Sequence, residues 1–336
     1  MNTISRRIQI ILAVFGLFIF LCSGVDILSA KEPDYPTKPI TCYIPYGPGG
    51  TTDLAARALM EATSKYLGQK FIPVNRSGAG GSLAALAVMN SKPDGYTLGV
   101  VPTSAAFIAP FSEDTPYKDL SGFTMIMNFA NYLLFWGVKD DAPWKTWRDF
   151  IEWAKKNPRA AKVGILGTKT NVSTGVYLWQ IEKREKVEFN DIPLKSSQEM
   201  LTAFLGGHID VYLTSVDGST MQYIENGKLR ILLYADNIKI PGYPNIPTTP
   251  ELYGFSLPNL VGIFGPKGLP ENVIQKLEDA FGKGVKEPHF VDVLKKIYMP
   301  IVYKNRTEMN IYVDKTFREM ADIFKKIRAE ESKLKK

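Results

Sequence analysis

The fold is decided by the stretch Ile44-Pro45-Tyr46-Gly47-Pro48-Gly49-Gly50-Thr51-Thr52-Asp53. An apolar segment runs into a turn of proline and glycine, and a helix-forming segment follows directly. Such a turn points several unpaired backbone N–H groups at one place, next to the positive end of the helix dipole. We therefore interpret residues 46–52 as a seat for an anion and call them the anion seat. The pattern indicates binding of a carboxylate rather than catalysis.

The residues around the anion seat alternate between strand and helix patterns. The predicted elements are strand 40–46, helix 52–67, strand 70–75, helix 83–89 and strand 96–101. Short connections in this order predict a parallel, doubly wound α/β sheet. In such sheets ligands collect beyond the carboxyl ends of the strands. The loops predicted at that edge are 46–52, 76–82 and 102–105.

Polar side chains in these loops are candidates for ligand contact. Thr103 and Ser104 carry hydroxyl groups at the end of a strand, and we expect them to hydrogen-bond a ligand. Gly80 lies in the second glycine loop, which is either a second wall of the site or only a tight turn. The carboxylate of Asp53 would repel a bound carboxylate, so we expect Asp53 to stabilise the first turn of the helix.

A second unit of the same style follows, with strands at 161–167, 209–214 and 228–235. Two apolar stretches, 125–138 and 258–265, link the two units and predict a hinge of two strands. The C-terminal helices are expected to pack back on the first unit. This layout is that of a two-lobed clamp in which a ligand bridges both lobes.

The loop 167–173 is the candidate ligand loop of the second unit. Its possible hydrogen-bond donors are Thr168, Thr170, Asn171 and Ser173. An ordinary helix cap is the alternative interpretation of these residues. Lys169 could pair with a distal carboxylate, although lysines in loops are usually solvated.

The N-terminus has the three-part pattern of a secretory signal peptide. Arg6 and Arg7 precede an apolar run over 8–21, and Ser29-Ala30 supplies small residues before a polar start. We predict a signal peptide over 1–30 and a periplasmic location, with an uncleaved membrane anchor as the alternative. Cys42 would then be the one cysteine of the mature chain, and we expect it to be a small buried apolar residue.

The composition argues against several function classes. The net charge is +7, and charged residues of both signs are mixed along the chain. The sequence has no arginine-rich arm and no zinc-finger spacing, so nucleic acid is not an expected partner. His208 and His289 are far apart without a partner pattern, so we expect no metal site and no catalytic base. The glycine spacing matches neither nucleotide fingerprint, so we expect no cofactor.

The chain resembles the solute-binding proteins of tripartite tricarboxylate transporters, the Bug or TctC-like group of periplasmic receptors. The resemblance covers nearly all of the mature chain. It rests on the order and spacing of Tyr35-Pro36-Thr37-Lys38-Pro39-Ile40, Pro48-Gly49-Gly50 with Thr52-Asp53 and Ala56-Arg57, Asn75-Arg76 before Gly78-Ala79-Gly80-Gly81, Pro93-Asp94-Gly95-Tyr96-Thr97-Leu98, Gly206-Gly207 with Ile209-Asp210, Gly227-Lys228-Leu229-Arg230, Ile246-Pro247-Thr248 and Gly265-Pro266-Lys267-Gly268-Leu269-Pro270.

The resemblance implies a type II periplasmic-binding-protein fold, with lobe 1 formed by 31–136 plus 259–336 and lobe 2 by 137–258. It implies delivery of a small di- or tricarboxylate to the membrane permease subunits, without enzymatic activity, by a protein we expect to be monomeric. The carboxylate grip carries over to Tyr46, Gly49, Gly50, Thr51 and Thr52, and the second-lobe loop to 167–173.

The sequence departs from the family pattern in places that bear on ligand identity. Thr51 stands where a glycine is common, and the second-lobe loop carries Lys169 and Asn171 in place of glycines. Thr214-Ser215 ends a strand where an aspartate is frequent, which makes Thr214 a further candidate contact. Two other functions stay open: an exported α/β enzyme that binds a phosphate-bearing cofactor at its glycine loops, and a receptor of the same fold that serves a sensor kinase.

Overall fold

The computed structural model describes residues 34–111, 115, 117–166, 168 and 172–334. The predicted signal peptide over 1–30 lies outside these residues. The chain divides into two compact units, 1–37 and 38–336. Of the first unit only residues 34–37 are described, and they include a cis peptide bond between Tyr35 and Pro36. All the helices and strands below belong to the second unit.

The first sheet has six strands in the order β2-β1-β3-β10-β4-β11. They are β1 (Ile40–Ile44), β2 (Phe71–Asn75), β3 (Thr97–Pro102), β4 (Phe123–Ala130), β10 (Val261–Pro266) and β11 (Ile301–Lys304). As predicted, β1 pairs in parallel with β2 and β3. The other half is antiparallel, because β10 pairs with β3 and β4 in that sense and β11 with β4. Residues from the far end of the chain thus complete this sheet.

The second sheet has five strands in the order β7-β6-β8-β5-β9. They are β5 (Leu134–Lys139), β6 (Lys162–Leu166), β7 (Asn190–Leu194), β8 (Val211–Ser215) and β9 (Leu229–Tyr234). Strand β6 pairs in parallel with β7 and β8, whereas β5 is antiparallel to β8 and β9. The two sheets give the two lobes, which we call the first and second lobe.

Ten α-helices are found in the described residues, and most follow a strand. They are α1 (Thr51–Leu67), α2 (Ser82–Met89), α3 (Trp147–Lys156), α4 (Ser173–Glu185), α5 (Ser197–Leu205), α6 (Gly218–Glu225), α7 (Thr249–Tyr253), α8 (Glu271–Gly284), α9 (Pro288–Lys296) and α10 (Arg306–Leu334). Helices α8 and α9 pack against α1, and α10 packs across β4. The prediction that the C-terminal helices return to the first lobe is therefore confirmed. No described helix combines the length and apolar character needed to span a membrane.

Both faces of the second sheet are buried, and β5 shows this, since successive side chains of a strand point to opposite faces. On β5, Trp136 lies in one apolar cluster with Phe150, while its neighbour Phe135 lies in another with Phe204. The first lobe has its own cluster, built around Phe107, Phe264, Met309, Val313 and Phe324. Cys42 on β1 is fully buried, and burial raises the pKa of its thiol to about 12, so its predicted role as a buried apolar residue is confirmed.

The chain passes between the sheets at two short crossings, residues 131–133 and 258–260. The first crossing breaks the stretch 125–138, which the sequence suggested was one apolar segment, into β4 and β5. The predicted lobe boundary at 136/137 lies inside β5, all of which pairs in the second sheet. At the second crossing, Leu257 packs in the second lobe and Leu260 in the first. The predicted limits of the lobes as a whole stay a prediction.

Candidate functional site

The anion seat connects β1 to α1 at the carboxyl edge of the first sheet. Residues 47–50 are exposed, and Gly50 is the N-cap residue of α1 with φ −73° and ψ 163°. Because Gly50 has no side chain to cap the helix, the first N–H groups of α1 have no capping partner there. Gly49 has φ +80°, a conformation that favours glycine. The loop therefore presents an open helix N-terminus, as the sequence predicted.

Asp53, in the first turn of α1, holds the shape of the loop through hydrogen bonds. Its Oδ2 accepts a hydrogen bond from the Gly49 N–H at 2.9 Å, and its Oδ1 accepts bonds from Arg57 Nε and Asn75 Nδ2, each at 2.8 Å. Burial raises the pKa of Asp53, but the hydrogen bonds from Asn75, Gly49 and Arg57 outweigh burial and leave that pKa below its ordinary value. Asp53 is thus hydrogen-bonded within the protein at the first turn of α1, and its expected stabilising role there stays a prediction.

Three loops meet through a chain of hydroxyl groups. The Oγ of Ser104 lies 3.1 Å from the Tyr46 hydroxyl and donates a hydrogen bond to the Gly80 carbonyl at 2.6 Å. Since the single hydroxyl proton of Ser104 goes to Gly80, Tyr46 is the donor in the Tyr46–Ser104 bond. Loops 46–52, 76–82 and 102–105 therefore converge at one place. Gly80 takes φ +62° here, and its carbonyl belongs to the same network.

Thr103 is placed differently from its neighbour Ser104. Its side chain is buried, its hydroxyl donates to the Leu260 carbonyl at 3.2 Å, and the Leu260 N–H donates back to the hydroxyl at 2.8 Å. The hydroxyl proton of Thr103 is thus committed to the second crossing. In this geometry Thr103 ties the crossing to the end of β3.

Tyr132 contacts the anion seat, and sequence reasoning missed it. Its hydroxyl lies 2.9 Å from the Oγ1 of Thr52, and Thr52 itself is buried in the first turn of α1. Burial raises the pKa of the Tyr132 hydroxyl well above its ordinary value, and Tyr46 contributes further. Burial also raises the pKa of Tyr46, against a smaller lowering by Ser104. Both phenols are therefore neutral at physiological pH.

The second-lobe candidates are only partly described. Lys169, Thr170 and Asn171 lie outside the described residues. Thr168 is exposed, Ser173 is the half-buried first residue of α4, and Thr214 is buried on β8. Whether these residues face the anion seat stays a prediction. Among residues 34–111, 115, 117–166, 168 and 172–334 there is no group of three potential metal ligands.

Comparison with known families identifies the family of this chain. The model of the tripartite tricarboxylate transporter family receptors, TctC, matches residues 55–329. The chain belongs to this family. A relative from Cupriavidus necator, the UPF0065 protein in the gbd 5′ region, is 32% identical over 299 residues, which cover 89% of this chain and 90% of the relative. The TctC match begins after Thr52, so it excludes the anion seat itself.

Solved structures agree with the two-lobed architecture of the TctC receptors. A TctC solute-binding protein from Polaromonas is 28% identical, covers 87% of this chain and 99% of its own, and superposes with a TM-score of 0.72. The MatC protein of Rhodopseudomonas palustris, solved with bound malate, is 22% identical and covers 86% of this chain and all of its own, with a TM-score of 0.72. At that identity MatC supports the fold alone. The protein is a solute-binding receptor of the TctC family, and receptors of this family are periplasmic.

Proposed function

We propose that this TctC receptor captures a small organic carboxylate between its lobes and delivers it to the membrane subunits of a tripartite tricarboxylate permease. Export by the signal peptide over 1–30 would place it in the periplasm, where it acts as a monomeric binder without catalytic activity. The observation that carries the proposal is the convergence of three loops on the uncapped N-terminus of α1. An open helix N-terminus surrounded by neutral hydroxyl groups suits a carboxylate.

The charges near the seat favour recognition by hydrogen bonds. The guanidinium of Arg57 is held by Asp53 and by Asn75 Oδ1, so it is already paired within the scaffold. The donors that remain are the backbone N–H groups at the start of α1 and the threonine hydroxyls. We assign Gly50, Thr51, Thr52, Tyr46 and Ser104 to one carboxylate of the ligand. Tyr46 and Ser104 would turn toward it the hydroxyl protons that they donate to Ser104 and to the Gly80 carbonyl in the ligand-free protein. Gly49 and Gly80 shape the loops around these donors, and Thr103 supports Ser104 through its bond to the second crossing.

For the second lobe we assign the distal part of the ligand to loop 167–173 and the adjacent strand. The candidates are Thr168, Lys169, Thr170, Asn171, Ser173 and Thr214. Lys169 would pair with a second carboxylate, which makes a dicarboxylate our first choice of ligand class. MatC, which shares the fold, was solved with bound malate, so malate is among the ligands to test.

The proposal is tested by isothermal titration of the mature protein with malate, adipate, citrate, hexanoate and ATP. We expect heat of binding with at least one carboxylate and none with ATP. Removal of the hydroxyls in Tyr46→Phe and Ser104→Ala should each weaken that carboxylate severalfold. Mass spectrometry of the denatured protein would identify any ligand that copurifies. Binding of ATP with no response to any carboxylate would overturn the proposed function.

A further inference from the structure

The two crossings are joined to each other by one side chain. The amide of Asn259 accepts a hydrogen bond from the Tyr132 N–H at 2.8 Å and donates one to the Tyr132 carbonyl at 2.5 Å. Asn259 is itself buried, and its backbone N–H donates to the Tyr312 hydroxyl of α10 at 2.9 Å. This double pairing holds residues 131–133 and 258–260 side by side, so the hinge has a defined pivot.

The side chain of Tyr132 touches both lobes from this pivot. Its ring packs against the second-lobe cluster that contains Trp136 and Tyr177. Its hydroxyl, in contrast, contacts Thr52 at the start of α1 in the first lobe. A large enough change in the angle between the lobes would therefore break the Tyr132–Thr52 bond.

The second crossing is also bonded to the region of the seat. Leu260 is paired with Thr103, the residue that precedes Ser104. Each crossing thus has a direct hydrogen bond to residues at, or next to, the proposed carboxylate grip. The Thr52 hydroxyl can accept a hydrogen bond from Tyr132 and donate one to a ligand, since an alcohol can accept one hydrogen bond while donating another.

We propose that Tyr132 is a positioning residue that couples the anion seat to the hinge through Thr52. In the ligand-free protein the Tyr132–Thr52 bond restricts the angle between the lobes. A carboxylate that accepts the Thr52 proton fixes the direction of the chain as Tyr132 to Thr52 to ligand, and each bond then strengthens the other. A bound ligand therefore strengthens the Tyr132–Thr52 bond, which is already present without ligand, and so narrows the range of angles between the lobes. The ligand step rests on the proposed function, whereas the ligand-free restriction does not.

The experiment measures the distance between spin labels on the two lobes by pulsed electron resonance. The labels are attached at Glu61→Cys on α1 and Arg148→Cys on α3, whose side chains are 75% and 87% exposed. Cys42 is buried and keeps its proton, so it does not compete for the label. The variants are Tyr132→Phe, Thr52→Val and the double substitution. The matched control is Tyr212→Phe, because the buried Tyr212 hydroxyl also contacts a threonine hydroxyl, that of Thr220, but within the second lobe.

In the ligand-free protein we expect Tyr132→Phe and Thr52→Val to broaden the distance distribution equally, the double variant to broaden it no further, and Tyr212→Phe to leave it unchanged. Circular dichroism and urea unfolding verify that each variant is folded. Distributions identical to wild type in both single variants, or effects that add in the double variant, would overturn the coupling. With saturating adipate the wild-type distribution should narrow, and Tyr132→Phe should lose most of that narrowing. If no carboxylate binds the wild type, the proposed function fails while the ligand-free comparison still decides the coupling.

Discussion

The backbone N–H of Gly49 donates a hydrogen bond to the carboxylate of Asp53, with 2.9 Å between the nitrogen and Oδ2. One N–H of the anion seat is therefore used by the protein itself. The same carboxylate also holds Arg57 and Asn75, which join the seat to α1 and β2. The carboxylate thus gives the loop a fixed shape before any ligand binds, at the expense of one donor.

Asp53→Asn should destabilise the protein because an amide has one acceptor oxygen where the carboxylate has two. Loss of partners for buried donors costs about 1–3 kcal/mol each, so we expect a decrease of that order in the free energy of unfolding at pH 7. Because the pKa of Asp53 is lowered in the folded state, its contribution is complete above the unfolded pKa of about 4 and is lost as the pH falls through the folded value. Urea unfolding at pH 7, 5 and 3 should show the gap between wild type and variant closing only at the lowest pH. A constant gap over this range would contradict the assignment.

Gly50→Leu should block the anion seat without disturbing the fold. Gly50 has φ −73°, and a Cβ there would meet its nearest neighbour, the Gly47 carbonyl oxygen, at an ordinary 3.6 Å. A leucine side chain would occupy the space in front of the first N–H groups of α1. We expect Kd for the best carboxylate to rise at least tenfold, or about 1.4 kcal/mol, with the melting temperature kept. Gly50→Ala serves as the graded control and should lose less; unchanged affinity in Gly50→Leu would place the ligand elsewhere.

Lys169→Met tests how the second lobe selects its ligand. If Lys169 pairs with a distal carboxylate, its loss should weaken adipate but not hexanoate, which has the same carbon count and one carboxylate. An exposed ion pair contributes up to about 1 kcal/mol, so the expected loss for adipate is up to about fivefold in Kd. Lys156→Met, at the exposed end of α3, is the matched control and should change neither affinity. Equal weakening of both acids by Lys169→Met would remove the proposed pairing.

Asn259→Ala should lower the free energy of unfolding more than alanine substitution of a solvent-exposed asparagine does. The substitution leaves the N–H and carbonyl of Tyr132 without their partner at a position where Asn259 is only 4% exposed. We expect the free energy of unfolding to fall by about 2 kcal/mol, measured in urea. Asn226→Ala, an exposed residue at the end of α6, should cost well under half as much. Comparable losses in the two variants would show that the pairing adds nothing to stability.

Much of the fold could be predicted from patterns that are local in sequence. The strand, turn and helix around residues 40–67 follow one another directly, and each has its own signal, including Gly68 in the left-handed conformation at the end of α1. The convergence of the loops at 46–52 and 102–105 followed from the rule that parallel strands end at one edge. These features need only neighbours along the chain.

Features that depend on distant partners were missed. Strand β7 contains Asp191 and Pro193 and lies at the edge of its sheet, so its sequence has no apolar alternation. Strand β11 also lies at the edge of its sheet, and its four residues are too few to show a clear pattern. The break at 131–133 is hidden because both flanking strands are apolar. Asn131-Tyr132, polar groups inside an apolar run, was the available signal for the hinge residue Tyr132.

The central position of β10 dictates an order of assembly. The second sheet is continuous between residues 134 and 234, so all its strands exist once that part of the chain has been made. The first sheet has β10, from residues 261–266, between β3 and β4, which were synthesised far earlier. A nascent chain that ends before residue 261 leaves the facing edges of β3 and β4 without their partner. During synthesis the first sheet, to which the anion seat is attached, can therefore be completed only after the second.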